Sequence, residues 1–433
     1  MAKPSMFAMP PQAQRRLSNW AGNLTYSTHR VQEAASINEI RSAVRSSERL
    51  KVQGTRHCFN TIADSRHQLL SLRGMNKILS IDTKQRTAKV EPGVRYGDLA
   101  LALESQGFAL HNLASLPHIS VVGASSTATH GSGEKLGNLS SAVSALELMT
   151  ASGEVVELSR GDGETFRGAA VGLGALGVLT SITVDIEPTY SVRQYVYENL
   201  PLGQMRDHFD KIQASAYSVS LFTDWRDKRI NEVWIKSRVG DGAPFPAEPE
   251  FYGGKLARRN LHPIAELSAE NCTDQMGVPG PWHERLPHFR MGFTPSAGEE
   301  LQAEYFVPRR NAVDAILAVE RLRDRISPHL LISEIRAIAA DDLWMSPCYA
   351  ESCIAIHFTW KPDWPAVRRV LPLIEKELAP YKPRPHWGKL FTMAPAELRS
   401  RYERLEDFRR LAAEYDPKGK FRNEFLDTMV FSR

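Results

Sequence analysis

Val52-Gln53-Gly54-Thr55-Arg56-His57-Cys58-Phe59-Asn60 is the stretch on which the fold of this chain turns. It leaves a β-rich run, Arg49-Leu50-Lys51-Val52, and places small residues where backbone must approach something closely. A second loop of the same character, Ala114-Ser115-Leu116-Pro117-His118-Ile119-Ser120-Val121-Val122-Gly123, runs into Thr127-Ala128-Thr129-His130-Gly131-Ser132-Gly133. Two Gly/Ser/Thr loops, each leaving an apolar strand, can turn rows of backbone N–H groups toward a diphosphate. By itself, His57 is more simply a buried, satisfied loop histidine. The second loop reverses that order and makes His57 a candidate ligand.

Around these loops the chain has the make-up of an ordinary soluble globule. Its 433 residues suffice for two or three domains and a large core, and 42% hydrophobic against 24% charged residues excludes a disordered chain. The net charge of +4 is mild, and the basic residues are scattered in short clusters such as Lys255-Leu256-Ala257-Arg258-Arg259, so no nucleic-acid footprint is expected. Cys58, Cys272, Cys348 and Cys353 show no CxxC spacing, which indicates neither a metal site nor a disulfide framework. Cys348 and Cys353 read as a reduced pair in a loop-like stretch. Residues 1–16 carry Arg15-Arg16 without an apolar run behind it and are expected to be a disordered lead-in. No run approaches membrane-spanning length, and a reduced, cytoplasmic protein is expected.

From residue 29 to about 188, short β-rich runs alternate with helical ones. A helix is expected over 38–46, strands over 50–53, 68–72 and 87–92, and a helix over 96–107. Residues 145–150 and 154–158 flank Ala151-Ser152-Gly153 as a β-hairpin, and 176–184 reads as a strand behind Gly172 and Gly174. From about 189 to 400 tryptophans become denser, at 225, 234, 282, 344, 360, 364 and 387. This part reads as an antiparallel sheet flanked by helices at 317–322 and 366–378, the latter kinked at Pro372, with a long irregular insert over 240–298.

Three segments here place polar residues where apolar ones are expected. In Leu331-Ile332-Ser333-Glu334-Ile335-Arg336-Ala337-Ile338, period-2 alternation puts Glu334 and Arg336 on one face, about 7 Å apart. On pattern alone a surface ion pair of little energetic weight is the plainer reading. In Ile354-Ala355-Ile356-His357-Phe358-Thr359-Trp360, His357 and Thr359 share a face, which on pattern alone looks to solvent. In Pro383-Arg384-Pro385-His386-Trp387-Gly388-Lys389-Leu390-Phe391, Lys389 follows a glycine and by itself reads as a solvated loop residue.

Taken together, the two loops and these segments resemble a known family. The loops are similar to the FAD domain of the vanillyl-alcohol oxidase type, and Gly54-Thr55-Arg56-His57-Cys58-Phe59-Asn60 resembles its polyol branch, the alditol (xylitol) oxidases. The likeness runs from Asn19-Trp20-Ala21-Gly22-Asn23 to Lys420-Phe421-Arg422-Asn423. It implies an α+β, two-domain protein: an FAD-binding domain over 1–188, completed by roughly 400–433, and a substrate-binding cap domain over 189–399.

The resemblance further implies FAD bound covalently through His57. Around it would lie Gln53, Gly54, Thr55, Arg56, Cys58, Phe59, Ser115, Ser120, Gly123, Thr127, Ala128, Thr129, His130, Gly177, Val178 and Ile182. Arg336 and Lys389 would be catalytic, and Ser115, Glu334, His357 and Thr359 would join them in holding substrate. The implied reaction oxidises the primary alcohol of an alditol such as xylitol or sorbitol to the aldose while O2 becomes H2O2. An aldonolactone oxidase or dehydrogenase of the same superfamily is the alternative, and a non-catalytic FAD or sugar-binding module is disfavoured by two cations aimed at one reactive edge. A polyol and O2 are the expected partners of a monomer, with no nucleic acid, membrane or metal. Ala114, before Ser115, is compatible with oxidase activity, and His111 is expected to alter the pocket mouth.

Overall fold

The computed structural model describes residues 17–240, 242, 245–292 and 299–432; the expected lead-in at 1–16 lies outside them. Ser36 caps the first helix, Ile37–Ser46, by accepting from the Glu39 N–H, and Ile40, Ala43 and Val44 form its buried stripe. The strand Leu50–Gln53 follows and pairs in parallel with Gln68–Ser71, which pairs in parallel with Val31–Glu33. The first cofactor-type loop therefore leaves the edge of a three-stranded parallel sheet.

A second, antiparallel sheet of five strands has the order Ile78–Asp82, Thr87–Val90, Val178–Asp185, Val143–Met149, Val155–Ser159. The last two form the expected hairpin, with Leu146 opposite Leu158 and Met149 opposite Val155. The strand expected from 176 begins two residues later, at Val178. Gly177 stays in the lead-in loop because any Cβ there would lie 2.5 Å from the Met149 carbonyl oxygen. The helix expected over 96–107 ends at Glu104.

At Ser191 the chain enters a ten-stranded antiparallel sheet, whose centre runs Ser191–Pro201, Arg229–Arg238, Ser218–Thr223, Leu330–Ile338, Cys353–Trp360, Leu301–Pro308. Alternation divides its two faces. Leu221, Val233, Ile335, Ile356, Phe358 and Tyr305 pack with residues of the helices Leu202–Gln213, Ala312–Glu320 and Trp364–Leu378. On the other face Phe222, Gln302, Glu304, Glu334, Arg336, His357 and Thr359 line a cavity.

The helix expected over 317–322 is found at Ala312–Glu320, and Trp364–Leu378 runs on continuously through Pro372. Asp363 caps the latter by accepting from the Ala366 N–H at 3.0 Å, and Pro365 occupies its first turn, where a missing N–H costs nothing. The insert over 240–298, part of which lies outside the described residues, is less irregular than expected. Its short strands Glu250–Phe251, Gly254–Leu256 and Gly280–Pro281 extend the large sheet. Cys353 opens a strand rather than lying in a loop, and all four cysteines are free.

The C-terminal segment returns to the first half. Phe421 packs with Ile40, Val44, Leu50 and Leu70, and the Asn423 amide donates to the carbonyls of Thr61, Ile62 and Asp64. Among the described residues no helix is long and apolar enough to cross a membrane.

Candidate active site

Four adjacent strands of the large sheet place Phe222, Glu334, His357 and Glu304 directly opposite one another in one cross-strand row. Arg336 and Ser220 are paired in the next row, and Thr359 and Gln302 in the row on the other side. Because side chains alternate, this lattice puts all of these side chains on the same face. That face walls a cavity of about 980 Å³, whose other side is built from the two Gly/Ser/Thr loops.

The surface readings of the three polar segments do not hold. Glu334, Arg336, His357 and Thr359 are each 4–7% exposed, so the strand face that pattern alone assigned to solvent is enclosed. Lys389 is not a solvated loop residue either. Its backbone is fixed by the first loop: the Asn60 amide donates to the carbonyls of Trp387 (2.8 Å) and Lys389 (2.7 Å), and the Phe59 N–H to that of Gly388 (2.7 Å).

What binds these groups together is Glu304, a completely buried residue that strand periodicity did not bring out. Lys389 Nζ donates to its Oε2 at 2.7 Å and the Arg336 guanidinium to its Oε1 at 2.9 Å, while His130 Nε2 lies 3.2 Å from the same Oε1. Burial pushes the Glu304 carboxyl up, but Lys389, His130 and Arg336 together outweigh it and hold it well below the usual carboxylate range. Glu334 is likewise held low, against burial, by Arg336 and His288. Burial lowers the Lys389 pKa, against the pull of Glu304. Arg336 also donates to Ser115 Oγ at 3.4 Å, which brings the second loop to the sheet.

Burial, then the nearby Lys389, pushes His357 well below its ordinary value. The ring is therefore neutral, and its Nε2 is buried with no hydrogen-bond partner among the described residues. A neutral imidazole nitrogen beside a cavity can give or take one hydrogen bond from a hydroxyl.

The two loops meet closely on the other side. A Cβ on Gly54 would lie 2.8 Å from Ser120 Oγ and one on Gly123 2.7 Å from it, so only glycine fits at both. The Ser120 N–H donates to Thr55 Oγ1 at 3.3 Å, and Ser120 caps the short helix Val121–Ser126. His57 follows Arg56, which is held at φ +62°, a costly left-handed conformation for a side chain of that kind. The indole of Trp20 stacks on the His57 ring at 5.2 Å and 23°. Burial pushes His57 down to about 4, with His118 adding to it, so the ring is neutral. Its Nδ1 is buried without a hydrogen-bond partner among the described residues.

Gln53, Gly54, Thr55, Arg56, His57, Cys58, Phe59, Ser115, Ser120, Gly123, Thr127, Thr129, His130 and Gly177 all line the cavity. Ala128, Val178 and Ile182 do not; their side chains are in the hydrophobic core, because alternation along the strand turns Leu179 rather than Val178 to the cavity. His111 is not at the pocket mouth: its carbonyl accepts from the Tyr217 hydroxyl, behind the second loop. His118 ties that loop to the Met291 carbonyl through a 2.8 Å hydrogen bond. A narrow glycine cradle, a neutral histidine with an unpartnered nitrogen and two cations opposite fit a flavin dinucleotide.

Similarity to known proteins agrees with this geometry. Residues 29–159 match the family model of the FAD binding domain, and residues 298–429 that of D-arabinono-1,4-lactone oxidase. The chain is 46% identical to an alditol oxidase of Streptomyces sp., over 96% of this chain and 99% of that protein. It is 27% identical to the L-gulono-1,4-lactone dehydrogenase of Mycobacterium tuberculosis, over 94% and 97% respectively. Among solved structures, a cholesterol oxidase from B. sterolicum superposes with a TM-score of 0.78 at 15% identity, covering 98% of this chain and 99% of that one, which shows a shared fold. An FAD-binding domain joined to an antiparallel sheet, and close identity maintained along almost the whole length, place the chain in the alditol oxidase family of vanillyl-alcohol-oxidase-type flavoproteins.

Proposed function

We propose that this protein oxidises the primary alcohol of alditols such as xylitol and sorbitol to the aldose and reduces O2 to H2O2. The observation that carries this reading is the enclosed sheet face on which Glu334, Arg336, His357 and Thr359 meet Ser115 and Lys389. A chain of hydroxyls needs that many partners, because each one left unpaired on burial costs about 1–3 kcal/mol. The flavin, when bound, supplies the two-electron acceptor and delivers the electrons to oxygen.

In this reading Arg336 polarises the reacting hydroxyl, and Lys389 keeps a positive charge beside the flavin where negative charge develops. Glu304 aligns both cations, since its two carboxylate oxygens each take one of them. Glu334, His357, Thr359 and Ser115 fix the remaining hydroxyls and so the reacting carbon. His57, neutral and unpartnered at Nδ1, carries the flavin covalently. Residues 1–188 with roughly 400–433 form the FAD-binding domain, and 189–399 the cap. Ala114, which lines the cavity beside Ser115, leaves room for oxygen.

The match of residues 298–429 to the lactone oxidase model favours aldonolactones as a second substrate class. A peroxide-release screen over xylitol, sorbitol, glycerol and L-gulono-1,4-lactone separates the two. Turnover of the lactone with none of the alditols refutes the primary reading.

A further inference from the structure

His288 comes from the insert, 46 positions before Glu334, and it is 5% exposed and lines the cavity. Its Nε2 lies 2.8 Å from Glu334 Oε1. Its Nδ1 lies 3.3 Å from Lys236 Nζ, and Lys236, 1% exposed, also donates to the carbonyls of Leu286 (2.6 Å) and Pro287 (3.2 Å). Three acceptors around one nitrogen match the three N–H bonds of an ammonium. Glu334 is held ionised and can only accept, so the His288 proton sits on Nε2 and is donated to it. This leaves the Nδ1 lone pair facing Lys236, whose pKa burial lowers to about 7. Burial pushes His288 down to about 4, which keeps the ring neutral. The rings of Phe222 (5.4 Å, 71°) and Trp234 (5.2 Å, 81°) hold it edge-on from two sides.

The consequence falls on Glu334. Its Oε1 takes His288 and, at 3.6 Å, Arg336. Its Oε2 has no hydrogen-bond donor among the described residues, and Glu334 lines the cavity. Two strand spacings, about 10 Å, separate Glu334 from Glu304, which holds Lys389. Arg336, assigned above to the reacting hydroxyl, approaches Oε1, so a hydroxyl meeting Oε2 is a different one, further along the substrate.

We propose that His288, donating from Nε2 and backed at Nδ1 by Lys236, is a positioning residue that turns Glu334 so that Oε2 receives a remote hydroxyl, and thereby sets the preference for longer alditols over glycerol. This rests on the alditol reading above. The insert, which also lines the cavity through His262, Ile264 and Phe289, thus acts on Glu334 through one imidazole.

The test uses the flavin-loaded enzyme and the variants His288→Met, His288→Gln, Glu334→Gln and His288→Met/Glu334→Gln. KM and kcat are measured for xylitol and glycerol. His288→Met should raise the xylitol KM about 10- to 100-fold, the scale of losing a hydrogen bond to a charged group, with a much smaller change in kcat and in the glycerol KM. His288→Gln, whose amide N–H reaches the same point, should recover most of the loss. The double variant should be no worse than Glu334→Gln alone, because both changes act through one carboxylate. Additive losses, or equal KM increases for both substrates, would overturn the proposal and leave His288 as packing. Nitrogen-15 spectra of the imidazole supply an arm that needs no substrate. The wild type should show the Nε2–H form. A mixed tautomer in the wild type overturns the proposal, whereas a locked tautomer in an enzyme that oxidises no alditol defeats only the substrate reading.

Discussion

Replacing Glu304 with glutamine tests the centre of the site, because the change keeps the shape of the side chain and removes its charge. In the wild type the carboxylate serves Lys389 at 2.7 Å, Arg336 at 2.9 Å and His130 at 3.2 Å. Glutamine offers one neutral oxygen in place of two charged ones, so both ion pairs at this residue are lost. Among the described residues Arg336 then keeps only the more distant Glu334 as an anionic partner, at 3.6 Å. Breaking a buried ion pair from one side costs about 3–5 kcal/mol. With an unfolding entropy of about 2.1 cal/mol/K per residue, a chain of this length loses about 1 °C of Tm per kcal/mol, giving a drop of about 3–5 °C for unfolding as one unit. The loss also depends on pH. Glu304 is held well below the ordinary carboxylate value, so its contribution is complete above that value and disappears as pH falls through the folded one. The gap between wild type and variant should accordingly narrow below about pH 4. Anaerobic reduction of the flavin by xylitol should slow by about 10²–10³, since neither Arg336 nor Lys389 is then aligned. Scanning fluorimetry across pH and stopped-flow absorbance provide the two measurements. A Tm within about 1 °C of wild type, together with an unaltered reduction rate, would refute the idea that Glu304 organises the cations.

Three further outcomes follow from the same geometry. Acid-denatured wild type should carry flavin fluorescence with the polypeptide on a gel, and His57→Ala should release it; fluorescence that separates from the wild-type band rules out attachment. Lys389→Ala should lower anaerobic reduction by about 10²–10³, and because burial lowers the Lys389 pKa, wild-type activity should fall as pH rises through a value below that of free lysine. A flat alkaline profile counts against a catalytic ammonium. Glu334→Gln should raise KM more for xylitol than for glycerol, and Arg336→Ala should chiefly lower kcat; wild-type kinetics in both variants would remove the pair from the site.

Much of the arrangement is legible in the sequence, and the limits have physical causes. Strand periodicity pairs Glu334 with Arg336 and His357 with Thr359 on common faces, and the sheet register retains both pairings. Periodicity cannot say whether those faces look to water, because it fixes which residues point together and not what covers them. Part of the cover comes from loops more than 200 residues away: Ser115, for example, is 221 positions from the Arg336 it meets. Lys389 reads as solvated for the same reason, since its backbone is held by Asn60, 329 positions away. Among the cofactor residues, Ala128, Val178 and Ile182 turn their side chains into the core, which leaves their backbone groups as what they can offer a cofactor.

Glu304 is the instructive omission. It stands in Leu301-Gln302-Ala303-Glu304-Tyr305-Phe306-Val307-Pro308, a run that reads as a buried strand, and a carboxylate there is costly unless cations meet it. An acid in an apolar strand therefore calls for basic partners elsewhere in the chain. Lys389 is a cation to which sequence pattern assigns no carboxylate, and Arg336 lies on a strand of the same apolar kind. The family resemblance aims both cations at the flavin. Their common anion determines how they can be aimed at all, since a buried guanidinium and a buried ammonium sharing one carboxylate would otherwise repel one another. The charge that makes the site chemically active is thus inseparable from the buried acid that lets it exist.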